Sequence, residues 1–150
     1  MPKKLLLSLS RKPVMTLGRA ALGADRLVYI VAANKPITYP RGRSRIVHIG
    51  TTKRGVRRIA SSVAHRAEEL FTRPGVRTAD AHLLTYTRRV GPQKVWLKME
   101  RAMLFMFQTE YGSIPILNRI GRHIWPGPEF DYFSRRSLLK RIREFERNSE

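Results

Sequence analysis

Apolar positions along this chain follow two rhythms, short continuous or alternating runs and longer stretches spaced by three and four. Leu27-Val28-Tyr29-Ile30-Val31-Ala32-Ala33 is β-branched and apolar, and predicts a central strand. Ile46–Ile49 predicts a second strand, antiparallel to the first because the connection holds no helix. Asn34-Lys35-Pro36 and Tyr39-Pro40-Arg41-Gly42 carry turn chemistry, so a loop containing Arg41, Arg43 and Arg45 is expected between the strands.

After the polar turn Thr51–Gly55, which includes Lys53 and Arg54, the spacing lengthens. Val56, Ile59, Ala60, Val63, Ala64, Ala67, Leu70 and Phe71 form one stripe of a helix. Arg57, Arg58, Ser62, His65 and Arg66 occupy its other side, and Thr72-Arg73-Pro74-Gly75 ends it. A strand end, a turn and a helix bearing guanidinium and imidazole groups suit an anion such as phosphate. Ala81–Thr87 predicts a third strand. Lys94–Tyr111 predicts a helix apolar on most sides and therefore mostly buried, with Gly112 as its C-terminal cap. Ile114–Asn118 reads as extended, and His123–Phe133 as broken and aromatic-rich. Ser134 or Ser137 can cap a last helix with Leu138, Leu139, Ile142 and Phe145 on its apolar face. Its other faces carry Arg135, Arg136, Lys140, Arg141 and Arg143. The expected fold is a small α+β domain, a mainly antiparallel three-stranded sheet flanked by helices, with a basic C-terminal helix. The expected divisions are a basic arm over 1–25, the central domain over 26–120, and the aromatic turn with the last helix over 121–150.

Composition sharpens this picture. In 150 residues, 30 Lys plus Arg stand against 11 Asp plus Glu, a net charge of +19. Such a charge points to a polyanionic partner, nucleic acid ahead of membrane, with DNA expected first and RNA as the alternative. With no cysteine, disulfides, zinc knuckles and thiol catalysis are excluded. No apolar run is long enough to span a bilayer, so a cytoplasmic or nucleoid-associated protein is expected. The acid-free leader Met1–Ala24, with Lys3, Lys4, Arg11, Lys12 and Arg19, reads as a basic arm or, alternatively, an organelle import segment.

Several residues invite two readings. Glu100 stands among Trp96, Leu97, Met103 and Leu104, where a carboxylate is costly unless paired; it is a metal ligand, an acid/base group, or half of a structural salt bridge. Tyr29 is a strand tyrosine that could be structural or chemical. His48 points to the sheet face opposite Val47 and Ile49. Arg58 and His65 fall within ~20° of each other on the helix, as part of a solvated basic face or of a site. Trp125, Phe130, Tyr132 and Phe133 could stack on bases or dock the last helix.

Together and in this order, Val28-Tyr29-Ile30, Val47-His48-Ile49-Gly50 and then Arg58 resemble the paired strand motifs of the GIY-YIG nuclease family. Glu100 followed by Tyr111-Gly112, Pro115 and Asn118 resembles that family's closing motif, the more specific half. The resemblance spans about Leu27 to Asn118. It implies one metal-assisted hydrolysis of a phosphodiester. Glu100 would bind Mg²⁺ or Mn²⁺, Tyr29 would act on the attacking water, Arg58 would stabilise charge on phosphate, and Asn118 would support the site. His48 replaces the second motif tyrosine, and an imidazole can take a proton near neutral pH or mark a lost site. Leu27 stands where the family has glycine, and the inter-strand loop is longer than usual. Ser62 lies one turn after Arg58, where the family often has His or Tyr. The expectation is a metal-dependent DNA endonuclease with Arg41, Arg43, Arg45, Lys53, Arg54, Arg57, His65, Arg135, Arg136, Lys140 and Arg141 contacting nucleic acid. The alternative is a non-catalytic nucleic-acid-binding protein on the same scaffold, for example a ribonucleoprotein component.

Overall fold

The computed structural model describes residues 7–11, 27–52, 56–84, 94–118 and 123–148. Lys3, Lys4, Lys12, Arg19, Lys53 and Arg54, and residues 85–87 of the expected third strand, lie outside the described residues. The elements are β1 (Leu27–Tyr39), β2 (Gly42–Thr52), α1 (Val56–Phe71), β3 (Ala79–Leu84), α2 (Val95–Tyr111), a 3-10 turn over Pro128–Asp131, and α3 (Arg135–Arg143). The sheet is three-stranded and antiparallel in the order β2-β1-β3, so the α+β expectation holds and Leu27–Ala33 does lie in the central strand.

The expected loop between the first two strands is instead a long hairpin, with Arg43 and Arg45 inside β2 and only Pro40 and Arg41 in the turn. Asn34 looks like a turn residue but uses its side chain elsewhere. Its Oδ1 accepts from the backbone N–H of Arg77 at 2.9 Å and of Thr78 at 3.3 Å, tying the approach to β3 onto β1. Pro36 lies where the β1–β2 register skips between Ala32 and Ile37, so its missing N–H costs no regular ladder bond.

Val31 pairs with His48, and both line a small cavity under Val63 and Leu70 of α1. Alternation then turns Ile30 and Ile49 to the opposite face, where α2 packs on β1 and β2 through buried Met103 and Phe107. Gly112 ends α2 in a left-handed turn at φ 85°, its N–H donating to Gln108 O at 2.8 Å. Ser134, rather than Ser137, caps α3, and the helix packs on α2 through buried Leu138 and Ile142.

Candidate functional site

The four-residue stretch His48-Ile49-Gly50-Thr51 of β2 receives three of the expected site residues, each from a different side. On the α1 face, Tyr29 lies opposite Gly50 in the register, and its hydroxyl stands 3.5 Å from His48 Nε2. Gly50 makes this approach feasible. A Cβ there would lie 2.7 Å from the Tyr29 oxygen and 2.8 Å from His48 Nε2, closer than van der Waals contact allows. Both rings are buried, His48 to 7% exposure. Its Nδ1 has no hydrogen-bond partner among the described residues. Burial pushes the imidazole pKa down from 6.5 to about 4, the positive charge of Arg66 adds to this, and the Leu117 carbonyl works against both. His48 is therefore neutral at pH 7. A neutral Nε2 can accept the phenol proton, leaving the lone pairs of the Tyr29 oxygen to orient another donor.

On the opposite pleat, Thr51 Oγ1 donates to Glu100 Oε2 at 3.2 Å. Glu100 is half-buried on α2, and burial raises its pKa while the Thr51 hydroxyl lowers it. Among the described residues no lysine or arginine pairs with it, so the salt-bridge reading of Glu100 finds no partner there. The fully buried, ion-paired carboxylate is Glu129, 2.5 Å from Arg101 Nε, in a stretch the apolar pattern left unassigned.

Along the outer edge of β2, Asn118 bonds Ile49 twice. Its Oδ1 accepts from Ile49 N at 3.0 Å and its Nδ2 donates to Ile49 O at 2.8 Å, while Leu117 N donates to Val47 O at 2.9 Å. An edge strand's free backbone groups are thereby satisfied by a side chain.

Arg58 is not drawn into this set. It is exposed on α1 beside exposed Arg57 and His65. The arginine brought against His48 is Arg66, whose Nη1 also donates to Leu117 O. The signal was present in the sequence, since Val63 and Leu70, three before and four after Arg66, border it on the wheel and place it at the edge of the apolar stripe.

The other basic residues divide. Arg41 Nη2 donates to the carbonyls of Gln108 at 3.3 Å and Thr109 at 2.7 Å, Arg43 donates to Pro36 O at 3.4 Å, and Arg45 donates to Ala33 O at 3.2 Å. Arg135 lies over the Phe130 ring at 4.2 Å, and Arg141 pairs with Glu144 at 2.7 Å. Arg136 and Lys140 are exposed on α3. Phe130 meets Phe105 edge-on at 5.4 Å, so this aromatic docks the C-terminal segment on α2, whereas Trp125 stays 68% exposed.

Among the described residues no cluster of three or more His, Asp or Glu could hold a metal. The donor set at this site is one carboxylate with a neighbouring hydroxyl. That fits a hard divalent cation which keeps most of its water and shares it with a substrate phosphate, and does not fit zinc. Comparison with protein-family models, with curated proteins and with solved structures finds no match for this chain.

Proposed function

We propose that the protein is a metal-dependent endonuclease that hydrolyses phosphodiester bonds of DNA. The observation that supports this reading is Glu100, a half-buried carboxylate held by the Thr51 hydroxyl that no lysine or arginine neutralises among the described residues. A Mg²⁺ or Mn²⁺ ion held by Glu100 would supply positive charge to the phosphate oxygens. Tyr29, its hydroxyl hydrogen directed at neutral His48, is buried on the opposite face and braces the strand that carries Thr51. The water oxygen bonds to phosphorus and the bond to the leaving sugar oxygen breaks, while solvent takes the water's proton and returns one to the leaving oxygen. With a pKa near 4 the imidazole is a weak base, so its main contribution is to fix the phenol. Asn118 holds the strand that carries the set. Exposed Arg57, Arg58 and His65 on α1, with Arg136 and Lys140 on α3, steer the polyanion without reading its sequence.

A second reading, a non-catalytic nucleic-acid-binding protein on the same scaffold, is favoured by two observations. Tyr29 and His48 are both buried, and Thr51, the partner of Glu100, points to the other pleat. Incubation with supercoiled plasmid separates the two. The endonuclease nicks it with Mg²⁺ or Mn²⁺ and not with EDTA, and Glu100→Ala reduces nicking by roughly 100-fold or more while DNA retardation stays nearly unchanged. Retardation without cleavage by the wild type establishes the second reading, and cleavage that survives Glu100→Ala removes Glu100 as the metal ligand.

A further inference from the structure

Residues 123–125 have neither helix nor strand, yet their backbone is firmly held. The amide of buried Gln108 donates to Ile124 O at 3.1 Å and accepts from Ile124 N at 2.9 Å. Arg101 Nη2 donates to Trp125 O at 2.8 Å while its Nε pairs with buried Glu129. Against this fixed backbone the Trp125 side chain is left in water, with the His123 ring edge-on at 4.4 Å. A large indole anchored in solvent by three backbone hydrogen bonds is costly by hydrophobicity alone, and its flat face is free to stack.

His123 also lines an open groove of about 620 Å³ between the C-terminal ends of α1 and α2, within the range of small-molecule sites. Arg41, Arg73 and Asn118 line it too, with Glu69 as its carboxylate. Arg41 is fixed at the wall by the α2 carbonyls, and among the described residues Arg73 forms no ion pair. Trp125 does not line the groove itself but abuts its wall through the His123 ring, and the groove reaches Asn118, which clamps β2.

We propose that this groove, with Trp125 at its lip, binds an unpaired nucleotide of a single-stranded nucleic acid. The indole stacks on the base, and Arg73, with Arg41 behind it, holds the flanking phosphate. A duplex keeps its base faces stacked on one another and offers none to the indole. The inference rests on the reading of the protein as a nucleic-acid binder, and takes the strand leaving the candidate site as its ligand.

The test is a titration of the full chain, in EDTA, with a short oligothymidylate, a duplex of equal length and a poly-glutamate peptide, following indole emission. The difference between wild type and Trp125→Ala isolates Trp125 from buried Trp96. The oligothymidylate quenches Trp125, and the duplex and the peptide do not. Trp125→Ala weakens oligothymidylate binding about tenfold, the scale of one stacked base, and leaves duplex binding and the circular dichroism spectrum unchanged. Retardation of oligothymidylate and duplex with no change in Trp125 emission overturns this inference alone. Equal quenching by poly-glutamate replaces the nucleotide with an acidic peptide and overturns it as well. Failure to retard either nucleic acid overturns it together with the reading it rests on.

Discussion

Gly50 leaves room for an oxygen and a nitrogen from two other residues, and that room is a measurable quantity. Gly50→Ala inserts a Cβ where Tyr29 and His48 approach, so one ring must move. The expected cost is about 1–3 kcal/mol in urea unfolding, the usual range for overpacking. The displaced His48 should also titrate closer to 6.5 by NMR, because its burial is disturbed. In the wild type the folded imidazole binds its proton near pH 4, against 6.5 when unfolded. The unfolded chain therefore holds more protons between these values. Stability from His48 is complete above about pH 6.5 and is lost as pH falls toward 4, by roughly 3 kcal/mol in all. Glu100 acts with the opposite sign: its raised pKa makes its contribution favourable in acid, and that contribution is lost as pH rises. His48→Gln should flatten the fall in urea midpoint between pH 6.5 and 4.5, and an unchanged slope would assign the acid sensitivity to other groups. At this scale Tyr29, His48 and Glu100 could be singled out from residue type and spacing, and Asn118 only through the resemblance to the GIY-YIG closing motif. Arg66, at the edge of the apolar stripe, was separable from Arg58 on the helical wheel, and its meeting with His48 was not, because that depends on the angle at which α1 crosses the sheet.

Elements with a clean period were legible. The stripe from Ile59 to Leu70 is a helix that buries both residues, and Gly112 is the left-handed cap of α2. The hairpin was not, since Asn34, Pro36 and Gly42 are loop formers by local preference and long-range pairing overrides them. β3 likewise begins at Ala79, two residues before the apolar run suggested, because Asp80 is an exposed edge position. The β2 edge is sealed through Asn118, a tertiary contact with no local trace. Asn118→Ala strips Ile49 of both partners on that edge and should destabilise the fold by about 1–3 kcal/mol, with faster hydrogen exchange at the Ile49 amide. Exchange as slow as in the wild type would mean that neighbouring backbone has taken over the bond.

For the molecule as a whole, a charge of +19 was plain from composition, and its allocation was not. Arg41, Arg43 and Arg45 bond backbone carbonyls, Arg101 neutralises a buried carboxylate, and Arg135 covers a ring. Only the folded chain shows which cations face outward, because a guanidinium reaches partners far along the sequence. Among the described residues no helix is long and apolar enough to cross a membrane.

The hairpin also fixes an order of events. Tyr29 and His48 meet across a turn of Pro40 and Arg41, through pairing that needs nothing beyond β2. Glu100 and Asn118 belong to the second half of the chain. During synthesis the phenol and imidazole can therefore be neighbours long before the carboxylate and amide have left the ribosome. The full set of contacts around His48–Thr51 is withheld from the nascent polypeptide until translation has passed Asn118 and the open flank of the sheet has closed.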